Sequence, residues 1–593
     1  MSNLEQKRHT LAHLLADAVR KEYPHAKPTI GPAIENGFYY DFDFSGGPNP
    51  SDGQANAPGD GDLKKIQKHM KKTLSSWTAF SHKEVSADDA RAYFKDNPYK
   101  IELIDELEKA GEAITFYTVG KEGAEFTDLC GGGHAENPAA DIPTDSFKLD
   151  KIAGAYWRGD EKNAMLTRIY GVAFDTKEDL EAYEVQLEEA KKRDHRKLGK
   201  ELDLFTFSEL VGSGLPLFTP KGTLMRDLIV EKIMHIQAKY GYEKVTIPHI
   251  TKCDLYKTSG HWEKFGDELF KVKGKSDAEF VMKPMNCPHH TQIFASKPRS
   301  YKELPIRYAE ATMVYRDEQQ GELIGLGRVR SITQDDGHVF CTTDQIEQEV
   351  ENIVHVISEF YQSLGMFTEG NYWVSLSVRD PEEPDKSLGG TEVWDKAEAT
   401  LAAIAEKLSL PYTRVEGEAA FYGPKLDFMF KDALGRERQL ATAQLDFVMP
   451  GRFNLEYTDN EGNKQTPVMI HRAIAGSLER FMAIMIEHFA GAFPLWLSPV
   501  QVAVIPVSDA HNEYAQSVYD ALKAAGIRTE LDTSNESMGK KIRNAKKEKL
   551  PYFVVIGDKE VGGKTITVES RDGESTAMTL SAFTNHLLSE IDT

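Results

Sequence analysis

Between residues 200 and 497 the chain carries a succession of strand-like runs, "EKVTIPHI", "IRYAEATMVYR", "VRSITQDDGHVF", "WVSLSVR", "KLDFMFK" and "RERQLATAQLDFV", several joined by short turns. Parallel neighbours need a crossover of roughly a dozen residues or more, so short turns force antiparallel pairing. The β-α alternation of a doubly wound sheet is missing here, and the expectation is a large antiparallel sheet flanked by helices over 200–497. After "PLWLSPVQ" the pattern changes to "VQVAVIPV", helix, "RTELD", helix, "PYFVVIG", which predicts a separate small α/β domain over 498–593. From Thr176, "TKEDLEAYEVQLEEAKKRDHRKLGKEL" opens with a capping-box pattern and runs from acids to bases, as the helix dipole favours. It predicts a helical connector over 176–199. Residues 1–175 remain as an N-terminal domain, interrupted by "SGGPNPSDGQANAPGDGD". That stretch, 45–62, cannot bury enough apolar surface to order itself and is expected to be a mobile loop.

Composition narrows the function classes. The chain has 71 basic and 93 acidic residues, a net charge of −22, so it does not coat nucleic acid indiscriminately and any such contact is local. Cys130, Cys253, Cys287 and Cys341 are scattered without a CxxC pair and form no disulfide framework, which fits a reducing cytosol. The start, "MSNLEQKRHTLAHLL", has no basic-then-apolar signal pattern, and no run of eighteen apolar residues occurs. A soluble cytoplasmic protein is expected, with no membrane partner.

Several motifs then need partners. In "RVRSITQDDGHVFC" Gln334, Asp336 and His338 occupy alternate positions of a strand and share one face, opposite Thr333, Asp335 and Val339. Burying such a row unpartnered would cost several kcal/mol, so it faces solvent, a metal or a ligand. "RHTLAHLL" puts His9 and His13 at i and i+4 on one helix face, and "DLCGGGH" sets Cys130 and His134 around three glycines that let the backbone approach closely. These four fit a zinc site and equally fit acid–base groups around a hydrolytic water. "MVYRDEQQGELIGLGRVR" has Arg316 and Glu318 on one strand face, a glycine-rich loop, then Arg328 and Arg330. Such arginines suit polyphosphate, although a solvated charged hairpin is the plainer account of the segment alone. "AIAGSLERFMAIMIEHF" reads as an apolar helix with Arg480 buried inside it, costly unless it meets an anion. Cys287, His338 and His471 are each most simply ordinary core residues, since no local spacing ties them together. "GDKEVGGKT" is no P-loop: Asp558 stands where the first glycine belongs, and a strand follows. "MGKKIRNAKKEKLPY" predicts a basic helix able to meet an RNA backbone.

Taken together the motifs resemble the bacterial threonyl-tRNA synthetase family, among the class II aminoacyl-tRNA synthetases. The likeness runs from about Arg8 to the C-terminus through "RHTLAHLL", "GPAIENGFYYDF", "AGAYWRGD", "KRDHRKLGKELDLF", "KPMNCP", "RVRSITQDDGHVF", "AFYGPKLDF", "TAQLDF" and "MIHRAIAGSLERF". Bacterial members usually begin with a small β-rich domain, for which there is no room before Arg8. The resemblance implies a multidomain α+β protein: an N-terminal α+β editing domain, a class II antiparallel-sheet catalytic core and a C-terminal α/β anticodon-binding domain. It implies activation of threonine with ATP, transfer to threonine tRNA, and a homodimer, with class II motif one around "YGYEKVTIPHI". Cys287, His338 and His471 would hold one Zn²⁺ per subunit, and Mg²⁺ would accompany ATP. Gln334, Asp336, Tyr422 and Gln444 would complete the threonine pocket, with Gln439 a further substrate contact. Arg316 and Arg480 would hold the phosphates, Glu318 would read the adenine amino group, Arg328 occupies a motif-two position, and Lys425 would lie near the amino acid and the tRNA end. His9, His13, Lys100, Asp128, Cys130 and His134 would hydrolyse seryl-tRNA, by positioning water in preference to binding metal. Asn535 and Glu560 would recognise the anticodon, while an anticodon-reading arginine near "VGGKTITVES" has no clear counterpart.

Two other functions stand beside this one. A sister class II synthetase for serine or proline is opposed by the zinc-ligand positions and the paired His/Cys motifs. A synthetase-like RNA-binding regulator without chemistry is opposed by the presence of Arg316, Arg480 and all three ligand positions.

Overall fold

The computed structural model describes residues 2–47, 57–160, 162–275, 277–383 and 387–592, and the chain divides into two compact units, Met1–Glu188 and Glu189–Thr593. Half of the loop expected to be mobile, residues 48–56, lies outside the described residues.

The first unit opens with the helix Asn3–Glu22, started by a reciprocal box in which Ser2 Oγ accepts from Glu5 N and Glu5 accepts from Ser2 N. Leu11, Leu14, Leu15 and Val19 bury one side of it in a core shared with Phe38, Phe42, Phe147 and Ile169. Those aromatic and aliphatic residues belong to an antiparallel sheet built on Gly37–Asp43, Met165–Ala173 and Phe147–Tyr156. The helix Leu63–Leu74 adds Leu63, Ile66, Met70 and Leu74, spaced on one helical face, to the same core. A second antiparallel sheet, Ser81–Glu84, Thr115–Val119 and Phe126–Leu129, delivers Asp128 and Cys130 at its last edge.

The connector helix Lys177–Arg193 stops where Asp194 caps a second helix, His195–Glu201. In the second unit eight strands pair in the order Glu243–Lys244, Ile306–Tyr315, Ser331–Cys341, Val468–Ala473, Glu437–Asp446, Lys425–Lys431, Tyr372–Val378 and Tyr412–Glu416. Pairing is antiparallel through the middle and parallel only at the two edges. One face packs against helices: Val339 and Cys341 of the third strand join Ile346, Val350, Ile353 and Ile357 of the helix Ile346–Gln362 in the main core. Phe340, one residue out of step, packs with Cys287, Phe294 and Tyr308 on the opposite face. The C-terminal part has the order Thr529–Leu531, Val502–Pro506, Tyr552–Ile556, Ile566–Ser570, Ser575–Met578; the first three are parallel with helices between them, and the last two are antiparallel.

Three local expectations are corrected. "EKVTIPHI" is not one strand: only Glu243–Lys244 and Ile250–Lys252 pair, in different sheets, because Pro248 has no amide hydrogen to give a ladder. Arg316 and Glu318 do not share a strand face, since the strand ends at Tyr315 and both lie in the following coil. The motif "AIAGSLERF" is helical only from Leu478, as Gly476 takes φ +64° and Ser477 caps the helix; Arg480 sits in its first turn and is exposed, not buried.

Candidate active site

The polar row of the third strand faces away from the helices, as the alternation requires. Gln334 lines a cavity of about 470 Å³ together with Arg316, Glu318, Arg328, Gln439, Ser477 and Arg480. Asp336 accepts from Asn286 Nδ2 at 2.7 Å, and burial raises its pKa above the usual carboxylate range. The opposite face of the strand is polar too, but internally satisfied. Asp335 accepts from Arg472 Nη1 at 2.8 Å and from the amides of Ile474 and Ala475. Thr333 donates through N and Oγ1 to Glu479 at 2.7 and 2.8 Å. Gly337 has no side chain because one would stand 2.3 Å from Arg472 Nε as that guanidinium crosses the strand.

Across the cavity two arginines lack carboxylate partners among the described residues. Arg316 lies over the Phe265 ring, its Nη2 at 3.1 Å from Met285 Sδ and its Nε unsatisfied. Desolvation lowers its pKa from the ordinary guanidinium value. Arg480 is exposed by area, yet the cavity walls partly desolvate its guanidinium and Arg438 stands nearby, both lowering its pKa. An isolated cation held in a partly dry cleft is completed by an anion. Glu318, almost fully buried, is held by Arg328 at 2.6 Å, while its carbonyl accepts twice from Arg330. Gln439 donates to Asp427 Oδ1 at 2.7 Å, and Lys425 pairs with the other carboxylate oxygen, so both are fixed by one buried acid.

Cys287, His338 and His471 are all buried, and one donor atom of each lies within 4.8 Å of the others. His471 comes from Val468–Ala473, the strand paired directly with that of His338, and the two residues stand opposite in register. Cys287 opens the helix Cys287–Ala295. Burial holds His338 well below, and Cys287 well above, their ordinary pKa values, so without a cation that ring and that thiol are neutral. Asp446 takes His471 Nε2 at 2.9 Å and His290 takes His338 Nδ1 at 2.7 Å, which leaves each ligand ring its second nitrogen. Two imidazoles each oriented by a neighbour, plus a thiol, make a donor set that fits a zinc ion. Tyr422 packs 4.9 Å from the His471 ring and donates to Gln444 Oε1 at 3.2 Å.

In the first unit His9, His13, Cys130 and His134 converge, their donor atoms within 4.8 Å of one another. His9 stacks on His134 at 4.4 Å, and Cys130 Sγ lies 3.3 Å from His134 Nε2 and 3.6 Å from His9 Nε2. The glycine run allows it: Gly132 and Gly133 take φ +92° and +83°. Burial depresses all three histidines, His134 to about 2, and pushes the Cys130 thiol to about 11. Beside them Lys100 pairs with Asp128 at 2.6 Å, and Asp128 also accepts from Tyr40 Oη at 2.5 Å.

The last two residues are not brought together by any hydrogen bond among the described residues. Asn535 is exposed, while Glu560 caps Gly557 N at 2.9 Å and accepts from Thr567 Oγ1 at 2.6 Å. The basic helix Met538–Lys547 is less free than its charges imply: Lys540 pairs with Glu536, Lys541 with the Asp532 carbonyl and Lys546 with Glu569. Sequence reasoning missed Asn286, His290, Tyr40, Asp427 and Asp446. Four of them sit inside motifs it used, Asn286 in "KPMNCP", Tyr40 in "GPAIENGFYYDF", Asp427 in "AFYGPKLDF" and Asp446 in "TAQLDF", and His290 lies two residues past "KPMNCP".

The sheet, the cavity arginines and the helix led by Ser477 are those of a class II synthetase. Residues 270–489 match the family model "tRNA synthetase class II core domain (G, H, P, S and T)", and residues 501–590 match "Anticodon binding domain". Among individual relatives, the threonine–tRNA ligase of Gloeobacter violaceus is 49% identical over 585 residues, covering 97% of this chain and 90% of that one. That of Deinococcus radiodurans is 46% identical over 576 residues, covering 96% and 86%. The chain belongs to the threonine–tRNA ligase family. Among solved structures, the "RNA binding domain of Threonyl-tRNA synthetase" from Cryptosporidium parvum aligns at TM-score 0.64 and 37% identity, covering 67% of this chain and 98% of that one. A Giardia lamblia prolyl-tRNA synthetase, at TM-score 0.54 and 17% identity over 69% of this chain and 80% of that one, shares the fold alone.

Proposed function

We propose that the chain activates threonine with ATP and transfers it to threonine tRNA. The observation that carries this reading is the approach on one strand face of a metal-type donor set, Cys287, His338 and His471, to a cavity whose Arg316 and Arg480 lack anionic partners among the described residues. A carboxylate oxygen of threonine attacks the α-phosphorus of Mg²⁺-bound ATP, the bond to pyrophosphate breaks, and a threonyl-adenylate forms. Arg316 and Arg480 hold the phosphates and stabilise the charge that grows on them. Glu318, fixed by Arg328, accepts from the adenine amino group; Gln439 contributes a further polar contact in the cavity. A ribose hydroxyl of the tRNA terminus then displaces AMP, with Lys425 beside the amino acid and the tRNA end.

Zinc held by Cys287, His338 and His471 would supply a Lewis-acid site for the amino and hydroxyl groups of threonine. Asp336 and Gln334 accept from and donate to the same groups, and Tyr422 with Gln444 closes the pocket. Valine lacks the hydroxyl, whereas an apolar pocket alone would separate the two only about 10²-fold. Serine has the hydroxyl, and a missing methyl is worth only about 1 to 3 kcal/mol, so a hydrolytic site is needed as well. We assign it to His9, His13, Cys130 and His134, neutral groups suited to holding a water against an ester, with the Lys100–Asp128 pair beside them. Asn535 and Glu560 are assigned to anticodon recognition. Phe207, Leu210, Val211 and Leu217 expose 41%, 100%, 44% and 41% of their surface, and we assign this apolar run to the interface of a homodimer. No described helix is long and apolar enough to cross a membrane, and the four free cysteines suit a cytoplasmic setting.

ATP–pyrophosphate exchange tests the activation step: exchange should require threonine, proceed with serine and fail with valine. Exchange with proline alone, or none with threonine, contradicts the reading. For editing, His9→Ala should leave threonine charging intact and let seryl-tRNA accumulate; serine clearance equal to wild type removes His9 from that role.

A further inference from the structure

Asp194, His195 and Glu487 form a third convergence of metal-type donors, within 4.8 Å of one another. Unlike the other two, every donor there is engaged. Asp194 caps Arg196 N and pairs with its guanidinium, Glu487 accepts from Arg436 Nη2 at 2.5 Å, and both nitrogens of His195 are taken. The cluster is a tie and not a metal site.

His195 is buried, and what it ties is informative. Its Nε2 accepts from Leu326 N at 3.1 Å, so that nitrogen carries no proton; the proton is on Nδ1 and is donated to Glu487 at 2.7 Å. Leu326 is fully buried within the loop between Arg316 and Arg328, and Glu487 lies two turns beyond Arg480 on the helix Leu478–His488. The neighbouring Gly325 takes φ +49°, and a Cβ there would lie 2.4 Å from His195 Nε2, so the loop backbone presses directly onto the ring. One imidazole thus joins the loop carrying Arg328 to the helix carrying Arg480, the two elements that face each other across the cavity.

We infer that His195 is a positioning residue for the nucleotide: it sets the loop that presents Arg328 and Glu318 against the helix that presents Arg480, without touching substrate. The inference rests on the cavity being the ATP site. It separates the ring's two bonds. His195→Asn keeps a donor near the place of Nδ1 and loses the acceptor for Leu326 N; His195→Gln places an acceptor near the position of Nε2. The threonine-side residues Asp336, His338 and His471 stand on strands that neither bond reaches.

Pyrophosphate exchange with wild type first establishes that the cavity serves ATP. With His195→Asn, KM for ATP should rise about tenfold, the factor that a lost hydrogen bond of ordinary strength corresponds to. KM for threonine should stay within about twofold, and His195→Gln should recover most of the ATP effect. A double variant with Arg328→Ala should raise KM for ATP by less than the product of the single effects, because both act through one loop. Unchanged KM for ATP in a folded His195→Asn, or equal rises for ATP and threonine with no recovery by Gln, overturns the inference; thermal melting of each variant separates these outcomes from misfolding.

Discussion

Asp335 and Asp336 are adjacent and chemically identical, yet the strand sends them to opposite fates. Asp335 neutralises the buried Arg472 and receives two backbone amides, so its charge is consumed by the fold. Asp336 has one amide donor, Asn286, and turns toward the site with capacity to spare. Asp335→Ala should therefore cost about 3 to 5 kcal/mol of stability, because it strands a buried guanidinium, as urea denaturation would report. Asp336→Ala should leave the urea midpoint nearly unchanged and abolish threonine-dependent exchange. Arg480→Ala should lower kcat for exchange by roughly a hundredfold or more, as expected for removal of a group that meets charge developing in the transition state. The His/Cys cluster of the first unit has its own signature. Burial lowers His134 from about 6.5 to about 2, so between those values the unfolded chain binds a proton that the folded chain refuses. Stability must then fall as pH drops below about 6.5, and His134→Gln should make that loss shallower; urea denaturation of the full chain at pH 7 and pH 5 measures it.

At the scale of elements, period-two alternation in 331–341 was enough to put Gln334, Asp336 and His338 on one face, because a strand's geometry is local. Which face held the site was not legible. That depends on sheet order: His471 meets His338 only because Val468–Ala473, some 130 residues away in sequence, inserts beside Ser331–Cys341. For the same reason Cys287, His338 and His471 looked like isolated core residues until the family resemblance joined them. Arg480 was misread as buried because "AIAGSLERF" looks like continuous helix. Gly476 breaks it, and the arginine falls in the first turn at the cavity mouth. Asp446, His290 and Asp427 were overlooked because their roles are to hold other side chains, a relation that no spacing along the chain records. In the basic C-terminal helix, composition cannot show that Lys540, Lys541 and Lys546 have partners within the fold.

At the scale of the molecule, the chain places two chemistries in two separately packed units: activation in Glu189–Thr593, and the neutral His/Cys cluster in Met1–Glu188. That division suits an enzyme that must accept a hydroxyl-bearing amino acid at one site and remove the smaller hydroxyl-bearing competitor at another. The proposed selection at the first site rests on the Cys287, His338 and His471 set, the most direct point at which the account can be challenged. The measurement is threonine-dependent pyrophosphate exchange on protein stripped with a strong chelator, before and after titration with Zn²⁺. Exchange should be lost on stripping and return to its full value at one zinc per chain in the wild type, but not in His338→Ala. Full exchange by the stripped protein, with threonine still preferred over valine, would contradict the account.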